Sequence, residues 1–191
     1  MTASVLFATL AAFTHAPSHP KKLVVAVTAH RIVVAFHVEV AVGERARMLR
    51  SLFDTNHDRQ IDGAEEARLS TYLSERAKRA LIVRLNGRRV PFATETRFID
   101  GARTRVDAAM SIILKMALVS EPIQIRFGTN RLKISDAGFE RAADIPVALA
   151  LGVRGEIISG RQPALMSARG ESTVFAFKSL EHPRDIAIDG K

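Results

Sequence analysis

The chain has 191 residues, 28 Lys+Arg against 20 Asp+Glu, a formal charge of +8, and neither Cys nor Trp. The lack of Cys excludes a disulfide framework, thiol catalysis and a thiolate metal site, and a hydrophobic share of 47% excludes a fully disordered chain. The cationic excess favours anionic neighbours: nucleic acid, an anionic membrane surface or an acidic polymer.

Residues 5–13 (VLFATLAAF) form an apolar run, followed by a polar stretch holding Pro17 and Pro20. A membrane helix needs roughly 20 apolar residues, so this run is too short to span. It fits the apolar core of a secretory signal, with Thr14 and Ala16 as small residues at the positions a signal peptidase reads. Residues 1–18 are therefore read as a signal or an unstructured N-terminus. The remainder, 19–191, is read as one exported domain, periplasmic or secreted. No later segment is long and apolar enough to span.

From Leu23 the dominant period is two. Residues 23–28 are followed by a turn at Ala29-His30-Arg31 and then by 32–42, where Ile32, Val34, Phe36, Val38, Val40 and Val42 alternate with residues including His37 and Glu39. Residues 106–118 alternate in the same way. Shorter runs lie at 81–85, 123–127, 145–151 and 173–177, and Asn86-Gly87 marks a hairpin turn. Many alternating strands without a βαβ rhythm predict a mainly β fold, an antiparallel β-sandwich.

Residues 43–79 break this period and predict two helices inserted between strands. Met48, Leu49, Leu52 and Phe53 give the first an apolar stripe, and Leu69, Tyr72, Leu73, Ala77 and Ala80 give the second. Between them lies the acidic loop 54–65, DTNHDRQIDGAE.

That loop resembles the twelve-residue calcium loop of the EF-hand family, the helix-loop-helix of calmodulin and its relatives. Calcium takes six to eight oxygens in a flexible cage. The resemblance implies side-chain oxygens from Asp54, Asn56 and Asp58 at loop positions 1, 3 and 5. It also implies the Gln60 carbonyl at position 7, Asp62 at position 9, directly or through water, and both oxygens of Glu65 at position 12. Ile61 at position 8 matches the apolar residue that bridges to a partner loop. The loop departs from the pattern at position 6, where Arg59 replaces the usual Gly, and after Glu65, where Glu66 replaces an apolar residue. A side chain at φ > 0 costs on the order of 1 kcal/mol. The expected dissociation constant is then roughly 10⁻⁵ to 10⁻³ M. No second loop carries this spacing, so the lone hand must dimerise through Ile61 or lean its helices on the sandwich. Both helices join directly to strands, which favours the second. Half of the motif has another explanation: Asp62 and Glu65 also form an N-cap pair for the second helix.

The six His have no ligand spacing, Ser167 lacks the Gly of a nucleophile elbow, and no Gly loop cradles phosphate. An enzyme is not expected. One Tyr and no Trp argue against base stacking, and so against nucleic acid. The expected function is calcium binding, structural or weakly regulatory. The competing class is a metal-independent interaction module whose basic surface meets an acidic partner or an anionic membrane. The layout is similar to that of a periplasmic domain placed ahead of membrane-spanning segments, which would make the partner a membrane-associated assembly.

Overall fold

The computed structural model describes residues 21–136, 145–152, 155–159, 164–166 and 172–180. The expected signal segment 1–18 lies outside the described residues. The fold is mainly β, with two sheets and an inserted helix pair.

The strands β1 (Lys21–Val27), β2 (Ile32–Val40), β5 (Phe92–Asp100), β6 (Ile112–Ser120), β8 (Ile145–Leu151) and β10 (Ala164–Met166) form one sheet in the order β10-β8-β1-β2-β6-β5. The second holds β3 (Leu81–Leu85), β4 (Arg88–Arg89), β7 (Gly128–Asp136), β9 (Gly155–Ser159) and β11 (Thr173–Ser179) in the order β4-β3-β7-β11-β9. Period two is the cause: successive side chains point to opposite faces, so Leu23, Val25, Val34 and Phe36 line one face and meet Val83, Leu132, Ile134, Phe175 and Phe177 of the second sheet. Pairing is antiparallel among the described strands except between β1 and β8, which run parallel. At the β3–β4 turn Asn86 and Gly87 take φ 50 and 84, the left-handed pair that a tight hairpin requires.

Several expectations need correction. The strand beginning at Ile32 ends at Val40, not Val42. Of 106–118, only the part from Ile112 is strand, because 102–111 is a loop held by α1 (Glu44–Phe53). Residues 123–127 carry no strand; Ile123 and Ile125 pack on the core from a connecting segment. The apolar stripe of α1 also divides. Met48 and Leu52 are 65% and 67% exposed, and the buried face carries Ala46 and Arg50. Leu49 and Phe53 pack partly.

The inner face of the first sheet is longer than the second sheet covers. On β2, Ile32, Val34 and Phe36 belong to the inter-sheet core, whereas Val38 and Val40 lie in a separate cluster with Ile112 and Leu114 of β6. That remaining area is covered by Ala46 of α1 and by Leu69 and Leu73 of α2 (Gly63–Ala80). Each buried Leu contributes roughly 1.5–3 kcal/mol. The helices lean on the sandwich because an apolar surface would otherwise be wet.

On the opposite face of the same sheet, Lys22, His37 and Lys115 stand directly opposite one another across β1, β2 and β6. Partial burial, then Lys22 and Lys115, push the His37 imidazole below its ordinary value, with Glu39 opposing. A lowered value means that, just below the ordinary value of 6.5, the unfolded chain binds a proton that the folded chain does not. Stability therefore falls as pH drops through that window. Urea unfolding midpoints measured between about pH 5 and about pH 8 should show this slope, and His37→Gln should flatten it. An unchanged slope in the variant would contradict the assignment.

Candidate metal centre

The loop between α1 and α2 is built by short polar side chains that bind their own backbone. Asp54, the residue after α1, is only 7% exposed, and its Oδ2 accepts from the Arg59 amide at 3.1 Å. Asn56 Oδ1 accepts from Asp58 N at 3.0 Å, and Asp58 Oδ1 from Gln60 N at 2.7 Å. Asp62 Oδ1 accepts from Ala64 N and Glu65 N, both at 2.8 Å, and so caps α2. Glu65 Oε2 accepts in return from Asp62 N at 3.1 Å, completing a capping box. Each acceptor thus bends the chain back on itself. Arg59 stands at φ 64, in the left-handed conformation its loop position demands, and His57 does the same at φ 61.

Glu65 is buried, and its carboxylate joins the two ends of the loop. Besides Asp62 N it accepts from Thr55 N at 2.7 Å, Thr55 Oγ1 at 2.9 Å and Asn56 N at 3.3 Å, all on Oε1. Burial alone would raise this carboxyl. The hydrogen bonds from Asp62, Thr55 and Asn56 together outweigh it and hold Glu65 below the usual carboxylate range.

The six expected ligand residues thus lie on one closed loop, but with unequal roles. Asn56, Asp58, Gln60 and Asp62 are exposed along it, whereas Asp54 and Glu65 are buried at its ends. Among the described residues no three His, Asp or Glu side chains come together in an arrangement that could hold a metal ion. The reason is local: Glu65 spends both oxygens on backbone donors. One atom fits the chemistry of a cation site. Asp54 Oδ1 is buried without a hydrogen-bond donor, and a buried carboxylate oxygen left in that state costs free energy unless something positive meets it.

The edge of the loop is closed from within the chain. Ile61 N donates to Thr104 O at 2.9 Å and Val106 N donates to Arg59 O at 3.0 Å, which makes a short antiparallel bridge between Gln60 and Arg105. Ile61 is buried there. Residues 104–106 thus occupy the edge that a partner loop would take. Arg50 holds this segment. Its Nη2 donates to Gly101 O at 2.7 Å and Met110 O at 2.8 Å, and its Nη1 to Ala108 O at 3.2 Å. No described carboxylate pairs with it. Thr55, Arg50 and the 104–106 segment were not legible as site residues, since each acts through the fold and none through sequence spacing.

In comparison with known proteins, no family model matches the chain and no curated protein matches it.

Arg50 tests how the loop is supported. Lys keeps the charge but cannot fork to three carbonyls and is more strongly hydrated, so Arg50→Lys should destabilise by roughly 2–3 kcal/mol in urea unfolding. A change below about 0.5 kcal/mol, the ordinary surface range, would remove Arg50 from this role.

Proposed function

We propose that the loop 54–65 binds a calcium ion weakly, in a structural or mildly regulatory role. The carrying observation is Asp54: one oxygen is fixed by the Arg59 amide, and the other is buried with no donor, at the head of a loop whose alternate residues offer oxygens. Asp54, Asn56, Asp58, the Gln60 carbonyl, Asp62 and Glu65 would hold the ion. The ion would supply the positive charge that no described group provides at Asp54 Oδ1.

Weakness follows from two costs. Glu65 must exchange hydrogen bonds from Thr55, Asn56 and Asp62 for the ion. Arg59 places a positive charge beside the loop that the ion would approach. Dissociation constants of roughly 10⁻⁴ to 10⁻³ M suit extracellular calcium modules. That setting agrees with export, which is read from the apolar run 5–13 and the small residues Thr14 and Ala16. A metal-independent corner is the second reading, and the Glu65 hydrogen bonds favour it, because they close the loop without an ion.

Calorimetric titration of calcium into the chelator-treated protein separates the two. The calcium reading expects a single site with a constant between roughly 10⁻⁵ and 10⁻³ M. Glu65→Gln and Asp54→Asn should abolish it. Arg59→Gly should tighten it by up to about fivefold, the equivalent of the roughly 1 kcal/mol that one exposed charge exerts at most. Absence of heat at millimolar calcium would leave the metal-independent corner.

A further inference from the structure

The second sheet presents a row of cations that take part in no ion pair among the described residues. Arg89, Arg84 and Lys133 stand directly opposite one another across β4, β3 and β7. Arg131 lies two residues along β7 on the same face, and Lys178 of β11 pairs with Thr129 of that strand. All five are exposed. None takes part in an ion pair among the described residues, and the acid nearest in register is Glu156, opposite Lys178 on β9. Like charges placed directly opposite destabilise a sheet. Here Arg89, Arg84 and Lys133 carry that cost with no ion pair among the described residues, and an anion from outside would relieve it.

The neighbours on the face select the class of anion. The outward residues between the cations are Ile82, Ser135, Thr129, Val174 and Ala176, none of them aromatic; Phe127, 56% exposed just ahead of β7, is a single ring and no platform for successive bases. At the same sheet's other edge Ile158 of β9 is 51% exposed, and Leu180, just past β11, is 52% exposed. Cations interleaved with the half-buried aliphatics Ile82, Val174 and Ala176 match the boundary of an anionic bilayer, where the charges meet headgroups and the aliphatics face the interface. We propose that the outer face of the five-stranded sheet, centred on Arg84, Arg89 and Lys133, docks on an anionic lipid surface. The surface lies on the sheet that does not contribute the β2–β6 seat of the helices, and it acts without calcium.

The test is co-sedimentation of the full chain with vesicles of phosphatidylcholine, with and without phosphatidylglycerol, in the presence of a chelator. Partitioning should require phosphatidylglycerol and fall with added salt. Each cation lost should weaken it roughly fivefold, so Arg84→Gln with Lys133→Gln should cost roughly 25-fold. Arg47→Gln, an exposed cation of α1, should leave it unchanged. Arg131→Gln serves as a single-site variant should the double variant lose its thermal transition. Equal binding to phosphatidylcholine alone, an equal loss in Arg47→Gln, or stripping of the protein from vesicles by duplex DNA at matched charge would each overturn the proposal. Failure here leaves the calcium reading untouched, since no loop residue is involved.

Discussion

The carboxylate of Glu65 ties the end of α1 to the start of α2. It is buried, so its charge must be met within the protein, and the groups that meet it are the amides of Thr55, Asn56 and Asp62 with the Thr55 hydroxyl. Those donors sit at opposite ends of a twelve-residue loop. Any geometry of the helix pair that separated them would leave a buried charge uncompensated, which costs more than most single contacts return. The crossing of the two helices and the outline of the loop follow from this one group. The same group would set the terms for the proposed metal binding, because its oxygens are already engaged.

The loop is attached to the sandwich by two further devices. Val38, Val40, Ile112 and Leu114 extend beyond the second sheet and create the apolar seat that Ala46, Leu69 and Leu73 fill. Arg50 then draws in the 102–110 segment through three carbonyls, and that segment returns the bridge at Gln60 and Arg105. Gly101 begins the segment at φ 69, so close to Ser111 that a Cβ would lie 2.1 Å from its carbonyl oxygen. The edge of the loop is thus bridged by residues 104–106 of the same chain. The loop thereby bonds directly to the connection between β5 and β6.

The legible parts of the sequence were those where one local rule acts alone. Alternation from Ile32 to Val40 and from Ile145 to Leu151 gave strands, Asn86-Gly87 gave its hairpin, and Asp62 with Glu65 gave the capping box. Elsewhere tertiary contacts overrode the pattern. β7 was missed because two of its inward residues are polar: Asn130, satisfied by Arg126, Gly128 and Asn86, and Asp136, paired with Lys21. β5 was missed because it is an edge strand with a largely polar sequence. The alternation of Val106, Ala108 and Met110 read as strand, although the backbone carbonyls there serve Arg50 and not a neighbouring strand. On α1 the buried side was hidden because its largest side chain is a charged one, Arg50. The oxygens of the loop were visible in their spacing, but the engagement of Glu65 with the Thr55 and Asn56 amides was not, since it depends on how the helices meet.

In the proposed function calcium would compete with backbone amides for Glu65. Amide proton–nitrogen NMR spectra recorded during a calcium titration address it residue by residue. The Thr55, Asn56 and Asp62 amides should shift together and saturably, while Ile61 and Val106, held by the bridge, keep their protection from exchange. Loop amides that stay unmoved at millimolar calcium would contradict the account and leave Glu65 as a permanent lock.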